Sequence, residues 1–151
     1  MSLRLVACFL YILGIPVALA GDQVRKEATV RLEVRVAGGA TKDGPSVGKS
    51  GRFDIPEQCE YVSHDVEILE RVPAAAGVAS DASTAFEETV QRSRSGRVTS
   101  VRLFVFAARA ERVGEPQPKI AASLVTVVRC DEVGIAKLRT LGGDVQVAGS
   151  E

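Results

Sequence analysis

Leu103-Phe104-Val105-Phe106 stand in a row at the centre of the run Val98–Ala108. In an extended chain, consecutive large apolar side chains fall on both faces of a sheet, so a strand built from them needs cover above and below. The run also holds two of the chain's five Phe residues, together with Val and Thr, the side chains that suit a pleated surface best. Val98–Ala108 is therefore expected to be the middle strand of the domain, buried on both faces.

Other segments have the period to pair with it. Ala28, Val30, Leu32, Val34 and Val36 alternate with Thr29, Arg31, Glu33 and Arg35, the pattern of a strand with one wet face. Tyr61–Val72 places Val62, His64, Val66 and Ile68 on one side and Ser63, Asp65 and Glu67 on the other, and Pro73 ends it. In Ile120–Arg129, Ala122, Leu124 and Val128 oppose Ala121, Val125 and Val127. Between the first two strands, residues 37–52 shift to Gly, Thr, Lys, Asp, Pro and Ser and read as a loop with a short strand near Val47. Gly114, Pro116 and Pro118 mark Glu111–Lys119 as a long hairpin loop. Asp131 is placed to cap a short turn over Val133–Leu138, and Asp144–Val147 reads as an edge strand.

One segment reads as a helix. Asp81 or Thr84 is a capping residue, and Thr84 with Glu87 makes a capping box. Ala82, Ala85, Phe86, Thr89 and Val90 form a narrow apolar stripe, Glu88 and Arg92 stand at i,i+4, and Gly96 supplies a stop after Arg92 and Arg94. The resulting order predicts a mainly β, α+β fold. It is a five-stranded antiparallel sheet or partly closed OB-like barrel, with one helix between strands 3 and 4. A two-layer sheet with the helix on one face is the alternative.

Ahead of these elements lies a segment of another kind. Met1–Arg4 carry one positive charge, Leu5–Leu13 are apolar, and Ala18-Leu19-Ala20 offers small residues where a signal peptidase reads them. Residues 1–20 are thus expected to be a cleaved signal peptide and 21–151 a single globular domain, periplasmic or secreted, without stable membrane insertion. Cys8 leaves with the signal, so Cys59 and Cys130 remain and are expected to pair in an oxidising compartment. For a loop of about 70 residues such a bond contributes roughly 4 kcal/mol. The carboxylates Glu57, Glu60, Asp131 and Glu132 beside them disfavour a thiolate and argue against a reactive cysteine.

Charge and motifs exclude several functions. Without Arg4 the chain carries 18 basic and 19 acidic side chains, no excess with which to neutralise a nucleic acid or to seek an anionic membrane. It has no Asn, hence no N-glycosylation sequon, and its Arg-, Ala-, Val- and Gly-rich composition suits a bacterial protein. Gly44–Ser50 resembles a phosphate-binding loop, but the first required Gly is replaced by Asp43, whose carboxylate repels phosphate. His64 is the only histidine, and along a strand it points away from Ser63 and Asp65, so these three cannot converge as a triad. A disulfide removes both cysteines from any zinc set, and no cofactor is expected. Asp65, Glu67, Glu70, Glu87 and Glu88 suffice in number for glycoside hydrolysis, but nothing in the sequence sets two of them across a cleft.

The contact-capable residues are Lys42, Asp43, Lys49, Arg52, Phe53 and Tyr61, in and beside the Gly-rich loop. The expected function is that of an exported binding protein acting on another protein, such as an inhibitor or immunity protein. A second class comes from a resemblance. Thr84–Arg94, then Ser95-Gly96 and a strand ending near Phe106, is similar over roughly a quarter of the chain to the OB-fold subunits of secreted toxin rings. That implies a receptor- or glycan-binding subunit, although the chain lacks Trp and has few Tyr for stacking on sugars. A small hydrolase is the third class.

Overall fold

The structure is a computed structural model that describes residues 24–74, 83–110, 112, 114–141 and 144–148. The segment read as a signal peptide lies outside the described residues, with Cys8, and so do Asp81 and Ala82. Among the described residues there are seven strands and one helix. In chain order they are β1 (Lys26–Ala37), β2 (Val47–Asp54), β3 (Cys59–Val72), β4 (Thr84–Arg92), β5 (Val98–Ala107), β6 (Lys119–Cys130), α1 (Glu132–Thr140) and β7 (Asp144–Val147). All strand pairs are antiparallel. They form two sheets, of order β3-β6-β1-β7 and β2-β5-β4.

The alternation read in β1 and β6 sets how these sheets stack. Val30 pairs with Thr126 and Val34 with Ala122, so the apolar side of each strand falls on one face. There Ala28, Val30, Val34, Val36, Ile120, Ala122, Leu124 and Val128 are buried against Val101, Leu103, Val105 and Ala107 of β5. β1 lies over β2 so closely that a Cβ on Gly51 would come within 2.7 Å of Val34 Cγ2 and 2.8 Å of Leu32 Cδ2. A side chain at position 51 would have to push Val34 and Leu32 aside. α1 closes one end, its N-terminus capped by Asp131, whose Oδ1 accepts from the Gly134 amide at 2.8 Å.

The outer face of the four-stranded sheet is ordered by small residues. Ala121 and Ser123 point outward from β6 yet are 1% and 3% exposed. Arg35 reaches over the strand to Glu70, and Arg31 to Glu67, so the long side chains of β1 and β3 form a roof over the small ones of β6. The hydrogen bond to Glu67, and then its charge, raise the Arg31 guanidinium further above its already high pKa.

Several expectations change. The two sheets do not close into a barrel, and strands divide four and three rather than joining one five-stranded sheet. β5 is the middle of its sheet as expected, but only one face is covered: Phe104 points outward and is 39% exposed. It spreads over Gly48 of the neighbouring strand, where the missing side chain leaves room for the ring. Thr84–Arg92 is a strand, not a helix, paired with β5 from Thr84↔Ala107 to Arg92↔Val98. Its ladder to β5 satisfies the backbone groups a helix would have satisfied internally. Gly96 is indeed a chain-reversing residue, but at φ +84° it turns the β4–β5 hairpin, where the Ser93 amide donates to the Arg97 carbonyl. Of the segment similar to toxin-ring subunits, the helix is therefore a strand, while the following strand to Phe106 is present. The loop after β1 is shorter than 37–52, because β2 begins at Val47. β5 and β6 lie in different sheets, so the connection between them is not the hairpin loop expected.

Candidate functional site

On one flank of the sandwich the edge strand of each sheet, β3 and β4, face one another. Sequence alone misplaces the side chains here, because β3 is bulged twice. Register passes from Tyr61↔Val128 directly to Ser63↔Val127, and again from Ile68↔Ala122 to Glu70↔Ala121. Each extra residue reverses the alternation. Val62 is therefore thrown outward, 42% exposed, while Tyr61 joins His64 and Val66 on the inner side.

Two polar bridges span the flank. At one end Tyr61 Oη lies 2.6 Å from His64 Nδ1, and His64 Nε2 lies 3.6 Å from Glu88 Oε2 on β4. At the other, Arg71 donates from Nε to Thr84 Oγ1 at 2.8 Å and from a terminal nitrogen to the Thr84 carbonyl at 2.7 Å. Between them stand Val66 and Ile68 on β3 and Phe86 on β4. Val66 packs on the core, but Ile68 and Phe86 do not; they are 40% and 42% exposed. Leu69, the second bulged residue, is 48% exposed beside them.

Beyond Tyr61 the flank opens into a cavity of about 820 Å³ at the end of the sandwich, lined by Arg25, Glu60, Tyr61, Arg92, Arg97 and Asp131. Its cations are held by the fold. Arg97 donates to the carbonyls of Pro56 and Cys59, at 2.7 and 3.2 Å, Arg92 to that of Gly96 at 3.1 Å, and Arg25 pairs with Glu60 at 3.2 Å. Its wall includes Cys59, disulfide-bonded to Cys130 at an S–S distance of 1.98 Å, across adjacent positions of β3 and β6. That pairing is the one expected from the sequence.

The six residues expected to make contacts do not share a surface. Lys42 and Asp43 are exposed in the loop 38–46, where Lys42 lines a shallow recess with Ser46, Ala108 and Arg109. Lys49 and Arg52 are exposed on β2, and Arg52 Nε is held by Asp54 at 2.7 Å. Phe53 is in the core, 7% exposed. Tyr61 lies on the opposite flank, turned toward His64. Ser63 and Asp65 point away from His64 as the alternation required, Asp65 accepting from the Val66 amide at 2.8 Å. Among the described residues no group of three His, Cys, Asp or Glu side chains is arranged to hold a metal ion. Sequence reasoning missed Glu88 and Phe86 as flank residues, having placed both on a helix. The alternation of Phe86, Glu88 and Val90 against Glu87, Thr89 and Gln91 was the signal that carried them. No family model, curated protein or solved structure matches the chain.

Proposed function

We propose that the chain is an exported protein that works by contact with another protein, in the manner of an inhibitor or immunity protein, and that the β3/β4 flank is its contact surface. One observation carries this reading. At the centre of the sandwich the inner-face residues Val34, Leu103 and Leu124 are 0–2% exposed. On this flank the inner-face residues Ile68 and Phe86 stay open, with Leu69 next to them. An apolar patch rimmed by hydrogen-bonded polar groups is the usual anatomy of a protein-binding surface. Export rests on the signal-like residues 1–20.

The test is capture from the envelope and medium of the source cells with the chain lacking residues 1–20. The expected result is one protein retained at a fixed ratio, and lost with an Ile68→Ser/Phe86→Ser variant whose unfolding midpoint is unchanged. Capture of nothing, or capture indifferent to that variant, overturns the reading.

A further inference from the structure

Resting on that reading, we infer that the partner binds by adding an extended, basic segment to the free edge of β4, continuing the three-stranded sheet. The sandwich has four sheet edges, and three are guarded against strand addition. β3 is broken by its two bulges, β7 is four residues long, and β2 carries Lys49 between Gly48 and Gly51. Among the described residues, β4 is covered only at its first position, where Arg71 donates to the Thr84 carbonyl. It runs for nine residues without Gly, Pro or Lys, and its register with β5 is unbroken from Thr84 to Gln91. Ala85 to Thr89 are all exposed, and among the described residues no strand pairs with its outer edge.

Charge identifies the occupant. The glutamates on the other sheet are neutralised internally: Glu27 by Arg129, Glu33 and Glu70 by Arg35, Glu60 by Arg25, Glu67 by Arg31, and its aspartates, Asp65 and Asp144, stand singly on β3 and β7. On β4, Glu87 has no ion-pair partner among the described residues, and Glu88 has only His64 at 3.6 Å. Arg102 stands opposite Thr89, next along the outer face from Glu87, but pairs with neither carboxylate. These adjacent carboxylates project to opposite faces, so a paired strand meets one above and one below the sheet. A strand with Lys or Arg at two successive positions, and an apolar residue opposite Phe86, complements both. A second copy of this chain does not. Antiparallel self-pairing in full register sets Glu88 against Glu88, and a shift by one position sets Glu87 against Glu87. Registers centred on Phe86 or Thr89 avoid both, but they set no cation opposite either carboxylate and pair only part of the strand.

The probe is a capped synthetic peptide, Thr-Val-Thr-Lys-Arg-Val-Thr, which in antiparallel register places Lys against Glu88, Arg against Glu87 and Val against Phe86. The expected result is at least tenfold slower hydrogen exchange of alternate amides in β4 at saturating peptide. Affinity should fall at least tenfold with Glu87→Lys/Glu88→Lys and recover when the peptide carries Glu-Glu instead. N-methylating one alternate set of peptide amides should abolish binding, while methylating the other set should not, a signature that side-chain contact alone does not produce. The methylated peptides leave the protein unaltered, so this arm survives if the double variant fails to fold. No β4 protection at about 1 mM peptide, or equal loss with both methylated sets, overturns the inference. So does protection of β4 without peptide in a protein that light scattering shows to be a dimer. A natural partner still captured by Glu87→Lys/Glu88→Lys overturns strand addition while leaving the contact reading of the flank intact.

Discussion

Two residues show how little room the interior leaves. Gly134, on the first turn of α1, sits against the disulfide: a Cβ there would lie 2.9 Å from Cys59 Sγ, 2.9 Å from Cys130 Cβ and 3.1 Å from Gln58 Cβ. None of these atoms is the free end of a flexible side chain. In an open helix Gly134→Ala would stabilise through propensity; here overpacking is the larger effect, and the variant is expected to lose about 1–3 kcal/mol in urea unfolding. Thr126 is the reverse case. It points into the core from β6, 1% exposed, and its Oγ1 has no hydrogen-bond partner among the described residues. Thr126→Val keeps the shape and removes the unpaired hydroxyl, so the same measurement should show a gain of about 1 kcal/mol. The cysteine pairing was legible because only two candidates remained. The Thr126 mismatch was not, since a strand's alternation marks a position as inward without showing what stands beside it.

At the scale of elements, β4 is where sequence and structure part. Its residues carry a capping pair, an i,i+4 ion-pair spacing and a terminal Gly, all helix signals, and also a plain two-residue alternation. Alternation announces a strand when one side is apolar and the other polar; on an edge strand exposed on both faces the contrast fades, and the helix signals prevail. What decides is pairing with β5, a non-local term that no window of β4 contains. Thr89 separates the two descriptions because it is exposed and paired only with Arg102. Thr89→Ala would stabilise a helix by about 0.5 kcal/mol. In the strand it should cost up to about 1 kcal/mol. The sign of the change in unfolding free energy is the check. β1, β6 and β7 were legible within a few residues; where α1 follows its Asp131 cap, only a short turn was expected and not the helix of the fold.

For the molecule as a whole, strand order along the chain suits an open barrel and a sandwich equally. The difference lies in which strands cross between layers, and that depends on the long connection between β5 and β6 and on the bulges of β3, neither of which leaves a periodic trace. The disulfide acts at this scale. β3 is an edge strand held in its sheet by β6 alone, and the bond fastens its first residue to the last of β6 across 71 positions. The closed loop takes in β4 and β5, so the bond restrains about half of the unfolded chain. Cys59→Ser/Cys130→Ser should therefore lower stability by about 4 kcal/mol. In a domain of this size that is a fall of roughly 15 °C in Tm. Reduced wild-type protein should melt close to the variant, since both lack the same restraint. The loss should also be uneven when read by hydrogen exchange: β3 amides released at the Cys59 end, β1–β6 pairing kept. Equal melting of variant and oxidised wild type would mean that β3 is held by its ladder and the flank bridges, and that the bond adds nothing.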